Sequence, residues 1–222
     1  MLTAWRVGVG AEETSAVYDA ATSGERGAVF VCAHGAGGRM DDRGMLSLSS
    51  ELRSRGLDVV RFNFLYAERK SGRPDPMPRL METLEAVVAR VRHDGPPRTM
   101  LIGGRSMGGR AASMLAAGGF DCDGLLLLAY PLHPAGRPEK LRDEHLPRIA
   151  VPTLCLNGTR DELCRRDLME QVLDRVRPTF QMHWLEGADH SFRVLKSSGR
   201  TDRDVLEEVG EATTGWLSRL GR

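Results

Sequence analysis

Gly104-Arg105-Ser106-Met107-Gly108 follows the apolar run Met100-Leu101-Ile102-Gly103 and precedes a helix-compatible run, Arg110-Ala111-Ala112-Ser113-Met114-Leu115-Ala116. This is a G-x-S-x-G sequence in the strand–turn–helix setting that gives it chemical meaning. A serine on so sharp a turn is held in strained backbone geometry with its hydroxyl exposed. Glycines two residues to either side leave room for strand and helix to approach. Gly103 and Gly109 relax the crowding further. Ser106 is therefore the first candidate nucleophile.

A serine hydroxyl is a weak nucleophile near neutral pH, so it needs a histidine base and a carboxylate that orients the histidine. Both lie downstream. Pro152-Thr153-Leu154-Cys155-Leu156 reads as a buried strand, and the loop Asn157-Gly158-Thr159-Arg160-Asp161-Glu162 carries an acid at its end. Asp161 is the expected orienter. Its competing reading is a turn or N-cap residue ahead of the helical run from Cys164 to Val176, and Glu162 and Asp189 are alternative acids nearby. The strand-like run Thr179-Phe180-Gln181-Met182-His183-Trp184-Leu185 leads into Glu186-Gly187-Ala188-Asp189-His190-Ser191-Phe192. Of the six histidines, His34 opens a glycine-rich loop and reads as its brace, His93 ends a helix, His133 and His145 lie in a middle insertion, and His183 sits within a strand. That leaves His190, in a loop beyond a strand, as the candidate general base.

Such a site also needs backbone N–H donors for a developing oxyanion. One usually comes from the residue after the nucleophile and one from the loop after an early strand. Gly27-Ala28-Val29-Phe30-Val31-Cys32-Ala33 is that strand and His34-Gly35-Ala36-Gly37-Gly38 that loop. Met107 and Ala36 are the expected donors, with Gly37 the competing choice for the second. His34 reads as a loop brace. Arg105 and Arg110 flank the elbow, and a salt bridge from Arg105 is expected to hold the turn in place.

Together, His34-Gly35-Ala36-Gly37-Gly38, Gly104-Arg105-Ser106-Met107-Gly108, Gly158-Thr159-Arg160-Asp161 and Asp189-His190-Ser191-Phe192 resemble the α/β-hydrolase superfamily over nearly the whole chain. The order Ser106, Asp161, His190 is the one expected of that superfamily and differs from the two large serine protease families. The string from Gly103 to Arg110, with Tyr130-Pro131-Leu132-His133-Pro134, is similar to a branch of small dienelactone-hydrolase-like proteins. Dienelactone hydrolases typically use a cysteine nucleophile, so Ser106 departs from them and their lactone substrate does not carry over. Some relatives in the branch have lost catalytic residues and act within larger assemblies. Here all three triad positions are filled, which favours an enzyme.

The chain has 222 residues, 41% of them hydrophobic, enough for one large core, and residues 1–222 read as a single domain. Lys plus Arg (31) nearly balances Asp plus Glu (30), so the net charge of +1 supplies no reason to expect nucleic acid or an anionic membrane as partner. The N-terminus lacks a basic region followed by an apolar stretch, and the longest apolar run, Leu125 to Tyr130, is too short to cross a bilayer. A cytoplasmic protein is expected. Cys32 and Cys155 fall in buried strands, while Cys122 and Cys164 have no Cys or His at ligand spacing, which argues against disulfides and against zinc. The glycine-rich segments at 35–38 and 103–109 lack the patterns of a nucleotide loop. No metal and no cofactor is implied.

Alternating short apolar and longer amphipathic runs argue for a mostly parallel twisted sheet of about eight strands with helices on both faces. This is the α/β class, and the resemblance implies an α/β-hydrolase fold with a minimal lid. Strands are expected near 3–9, 15–20, 27–33, 57–63, 99–104, 124–130, 152–157 and 179–185. Helices are expected near 43–55, 79–93, 107–118, 163–176 and 201–220. Leu80, Leu84, Val87, Val88 and Val91 recur at helical spacing and should face the core, as should Val205, Val209, Trp216, Leu217 and Leu220.

The lid-like insertion at 131–150 is short, proline-rich and charged, so it cannot form a large apolar cap, and a lipase acting on aggregated lipid is disfavoured. Arg39, Arg69 and Lys70 should lie near the site and are candidates to attract an anionic group on the substrate. Their plainer role is as solvated loop charges paired with Asp41, Asp42 and Glu68. The residues thus point to a serine hydrolase that cleaves a small-molecule ester or thioester through an acyl-enzyme. The alternatives are a small peptidase or amidase, and an idle hydrolase-fold scaffold for protein contact.

Overall fold

A computed structural model describes residues 2–24, 26–95 and 98–220. Eight strands form one open sheet in the order β1-β2-β4-β3-β5-β6-β7-β8. At one edge β1 (Leu2–Val9) and β2 (Glu12–Asp19) make an antiparallel hairpin, and β2 runs antiparallel to β4 (Asp58–Phe62). From there β3 (Ala28–Ala33), β5 (Thr99–Arg105), β6 (Gly124–Leu128), β7 (Thr153–Gly158) and β8 (Phe180–Leu185) extend the sheet in parallel.

The burial of each strand follows from this placement. Every residue of β3, β4, β6 and β7 is buried, as helices cover both faces of the sheet here; β3 and β6 read as continuous apolar runs, while β4 and β7 also bury the polar residues Asp58, Arg61, Thr153 and Asn157. On β2, second from the edge of the sheet, buried and less buried positions are mixed.

One face is covered by α3 (Met77–Asp94), α4 (Met107–Ala117) and α5 (Arg166–Leu173), which bury Leu84, Val87, Ala111, Ala112 and Met169 against Val31, Ile102 and Leu127. The other face is covered by α1 (Arg43–Ser54) and α6 (Asp202–Leu220), where Leu48, Leu52, Val205, Val209 and Trp216 pack on Phe30, Leu101 and Leu126. The expected stripe on α3 faces the core. On α6, Val205, Val209 and Trp216 are buried, while Leu217 and Leu220 are only partly so.

Several boundaries differ from the sequence expectation, each for a local reason. The segment after β4 is not simply a loop, because Leu65–Glu68 forms a one-turn helix, α2. The helix expected over 163–176 starts at Arg166 and ends at Leu173. The residues before it wrap around Asp161, whose carboxylate accepts the Leu163 N–H at 2.8 Å and whose carbonyl accepts the Cys164 N–H at 3.1 Å. α3 begins two residues early because Pro78 fits the first turn, where an N–H would have no helical partner anyway. The strand expected to reach Tyr130 ends at Leu128, since Ala129 turns to a φ of +52°.

Neighbouring β3 and β5 are joined to strands and helices that depart in opposite directions across the sheet, β4 on one side and β6 on the other. In open parallel sheets the loops at such a divergence leave a crevice beyond the carboxyl ends of the strands. The loop after β3 begins at His34 and the turn after β5 is Ser106, so both flank that crevice.

Candidate active site

Ser106 is the single residue between β5 and α4, with φ +48° and ψ −114°. A side chain at such angles is strained, and the surrounding packing holds it there. Two glycines make that packing feasible. A Cβ on Gly104, which has φ +140°, would lie 2.1 Å from the Ala33 carbonyl oxygen, and one on Gly108 would lie 2.6 Å from the same atom. Any larger residue at either position would push β5 and α4 away from β3. The Ser106 N–H donates to the Leu128 carbonyl at 2.9 Å, which ties the elbow to β6.

The structure brings His190 and Asp161 to this serine. His190 Nε2 lies 3.0 Å from Ser106 Oγ, and His190 Nδ1 lies 2.9 Å from Asp161 Oδ1 and 2.8 Å from Oδ2. The Asp161 side chain is fully buried and the imidazole is about 29% exposed, so the carboxylate is shielded while the ring borders the crevice. An imidazole held at Nδ1 by a carboxylate presents Nε2 as the atom able to take a proton from the hydroxyl.

Of the three acids in contention, only Asp161 faces His190. Glu162 is exposed. Asp189 turns its carboxylate onto its own loop, accepting the N–H groups of Ser191 at 2.8 Å and Arg193 at 2.9 Å. Asp161 does not cap the following helix, whose N-cap position is Arg165.

The loop after β3 packs against the elbow, since a Cβ on Gly35 would lie 3.6 Å from Ser106 Cβ. His34 braces it. His34 Nε2 accepts the Phe64 N–H at 3.0 Å, so Nδ1 carries the proton and donates to the Gly35 carbonyl at 2.8 Å. Burial pushes the His34 pKa down, which favours this neutral form. Tyr66 adds a second brace, donating to the Gly35 carbonyl at 3.3 Å and accepting the Gly37 N–H at 3.1 Å. The N–H of Gly37 is therefore engaged. Those of Ala36 and Met107 have no hydrogen-bond partner among the described residues.

Three residues that support the site have roles not visible in the sequence pattern. Asn157 sits at the end of β7, donates to Asp161 Oδ2 at 3.1 Å, and exchanges hydrogen bonds with the Tyr130 backbone, both at 3.0 Å. A buried asparagine ending an apolar strand next to the acid loop was the available signal. Tyr66 lies in a segment that reads as loop, so its reach back to Gly35 and Gly37 is a tertiary fact. Arg105 forms no salt bridge among the described residues, contrary to expectation. It donates to the His190 carbonyl at 2.9 Å and its guanidinium lies 5.2 Å from the centre of the Phe192 ring. Burial leaves this cation below its ordinary pKa, and a carbonyl and a ring face are the partners it has in place of an acid.

Among the candidate substrate cations, Arg69 is ion-paired to Glu12 at 2.6 Å and to Asp75. Arg39 donates to the Ala67 carbonyl at 2.7 Å and lies 3.6 Å from Asp41. Lys70 is exposed. The insertion at 131–150 is pinned to the body: Tyr130 Oη donates to the Arg142 carbonyl at 2.6 Å, and the His133 N–H donates to the Leu163 carbonyl at 3.0 Å. All four cysteines are buried and unpaired. Burial raises the Cys32 thiol to about 12 and Cys122 to about 11, so neither is a ready thiolate. Among the described residues no cluster of His, Cys, Asp and Glu has the makings of a metal site, and no helix is long and apolar enough to cross a membrane.

Residues 26–218 match the alpha/beta hydrolase domain family. Among solved structures, the chain is similar to an alpha-beta serine hydrolase homologue from Coxiella burnetii, at 20% identity over 98% of this chain and 97% of that one, with a TM-score of 0.76. It is similar to a serine hydrolase without lid from Xanthomonas campestris, at 21% identity over 97% and 95% and a TM-score of 0.75. A dienelactone hydrolase from Anabaena variabilis is 20% identical over 99% and 97%, with a TM-score of 0.76. At such identities these structures speak to the fold, whereas the match over residues 26–218 speaks to descent: this chain belongs to the alpha/beta hydrolase domain family.

Proposed function

We propose that this chain is a serine hydrolase that cleaves an ester or thioester of a small soluble substrate through an acyl-enzyme. The observation that carries this reading is the continuous line from Ser106 Oγ through His190 to the buried Asp161, with contacts of 3.0, 2.9 and 2.8 Å. As the serine oxygen attacks the carbonyl carbon, its proton passes to His190 Nε2, and Asp161 stabilises the imidazolium that forms. The carbonyl oxygen becomes an anion held by the N–H groups of Met107 and Ala36. The Gly37 N–H donates to Tyr66 Oη and so is not a donor to this anion. Collapse of the tetrahedral species breaks the bond to the alcohol or thiol, which leaves with the proton from His190. Water then adds to the acyl-enzyme carbonyl, giving a proton to His190 that returns to Ser106 as the acid departs.

Incubation with a fluorophosphonate probe, with the adduct mapped by mass spectrometry, tests the nucleophile. Labelling at Ser106 that is lost in His190→Ala is the expected result. A folded protein that resists the probe would overturn the assignment and favour an idle scaffold. Matched chromogenic ester, thioester and amide substrates then separate esterase or thioesterase from amidase chemistry.

A further inference from the structure

The Gly35 carbonyl and the Ala36 N–H belong to one peptide unit, and in a trans peptide these two groups point to opposite sides of the chain. Whatever fixes the carbonyl therefore fixes the direction of the N–H. Three donors converge on the Gly35 carbonyl: His34 Nδ1 at 2.8 Å, the Gly38 N–H at 3.1 Å and Tyr66 Oη at 3.3 Å. The Ala36 N–H is left on the other side, with no partner among the described residues.

The first two donors belong to the loop and move with it. Tyr66 does not, because it lies in α2, 31 residues beyond Gly35. Its hydroxyl also accepts the Gly37 N–H at 3.1 Å, so one oxygen from a separate element grips the carbonyl before Ala36 and the N–H after it. Such a pin has work to do here. Gly35, Gly37 and Gly38 surround Ala36, Gly37 has a φ of +70°, and Ala36 and Gly37 are exposed, so neither side-chain sterics nor packing selects one peptide orientation.

Tyr66 is itself firmly held. Its side chain is buried, its ring stacks on Phe64 with centroids 6.3 Å apart and meets His34 edge-on at 5.8 Å, and its N–H donates to Asp75 Oδ2 at 2.9 Å. Burial raises the phenol pKa, so the hydroxyl keeps the proton that it gives to Gly35. The rest of the loop is anchored without that oxygen. The Met40 N–H donates to Asn63 Oδ1 at 2.9 Å, Arg39 Nη1 donates to the Ala67 carbonyl at 2.7 Å, and His34 Nε2 accepts the Phe64 N–H at 3.0 Å. Loss of the Tyr66 hydroxyl is therefore expected to free the peptide plane while the loop stays in place.

We propose that Tyr66 is a positioning residue for the oxyanion hole, its hydroxyl locking the Gly35–Ala36 peptide with the Ala36 N–H turned to the developing anion. This deepens the hydrolase reading and rests on it.

The test is Tyr66→Phe, which removes one oxygen and keeps the buried ring. With 4-nitrophenyl butyrate, kcat is expected to fall about tenfold to a hundredfold, with KM within about twofold of wild type and the melting temperature little changed. Butylboronic acid gives a second readout. The Ser106 oxygen adds to boron, the hydroxyl proton passes to His190, and the tetrahedral boronate carries its negative charge next to the oxyanion donors. Its inhibition constant is expected to weaken by the same factor as kcat/KM, a link that a merely structural role would not produce. A wild-type kcat in the variant, a loss carried by KM, or boronate inhibition of undiminished strength would each overturn the proposal. Fluorophosphonate labelling of the wild type tells this failure from that of the hydrolase reading. A wild type unlabelled at Ser106 brings down both, whereas a labelled wild type beside a Tyr66→Phe variant of equal kcat removes the role of Tyr66 alone.

Discussion

Arg105 holds the main chain of His190, its Nη2 donating to the His190 carbonyl at 2.9 Å, so the strand that leads into Ser106 also sets the position of the histidine. The same guanidinium covers Phe192, two residues further along the loop, whose φ is +62°. Arg105 is a positioning residue under the hydrolase reading. Arg105→Met is expected to lower kcat by about 10- to 100-fold with a smaller effect on KM, the scale associated with a misplacement near 1 Å. Arg105→Lys should recover part of the loss. A variant with wild-type kcat would show that the loop holds His190 without this contact.

The backbone at Ser106 makes a second prediction. Ser106→Ala should lose three to six orders of magnitude in kcat, on the order found when a triad nucleophile is removed, while its melting temperature stays near the wild-type value. Ser106→Gly should be inactive yet more stable, by about 1 kcal/mol, because glycine relieves the strain at φ +48°. Thermal unfolding of the two variants side by side measures the strain directly.

Asn157 links the acid to the sheet. In Asn157→Leu the Tyr130 N–H and C=O lose their partners inside the protein, at a cost of about 2 kcal/mol or more. Asp161 also loses a donor, so kcat should fall about tenfold. Chemical denaturation and steady-state kinetics check the two halves separately.

A stability prediction away from the site concerns Asp19 and Arg61, which are 2.7 Å apart with side chains only 3% and 7% exposed. Removing one member of a buried pair strands the other. Arg61→Met is expected to cost about 3 to 5 kcal/mol, whereas replacing both partners by apolar residues should cost less. Urea unfolding of the single and double variants checks this.

His145 gives a pH dependence of known sign. Burial, followed by the charges of Arg110 and Arg148, lowers its pKa from 6.5 to about 4. The folded pKa is below the unfolded one, so the unfolded chain binds the extra proton and stability falls as pH drops from about 6.5 toward 4. In His145→Gln the loss of stability between pH 7 and pH 4.5 should be smaller by about 2 kcal/mol. Unfolding measured at the two pH values decides it.

The elbow and the strand alternation were legible in the sequence because both are set by short-range sterics and periodicity. Gly104 and Gly108 announce a turn that only a close-packed strand and helix require, and Leu80, Leu84, Val87, Val88 and Val91 announce a buried face. The early stop of β6 at Ala129 and the late start of α5 at Arg166 were not legible, since a turn around a buried carboxylate overrides local helix preference.

By itself the sequence determined the fold class and the chain order of Ser106, Asp161 and His190, since apolar spacing dictates which segments must be buried and in what layers. Only the tertiary structure decided that Asp161 and not Asp189 faces His190, that the Gly37 N–H goes to Tyr66 while the Ala36 N–H stays without a partner among the described residues, and that Arg105 binds a carbonyl where an acid was expected. Each of these is a choice among chemically equivalent partners. Spacing along the chain does not rank such partners, and hydrogen-bond geometry between segments tens of residues apart does.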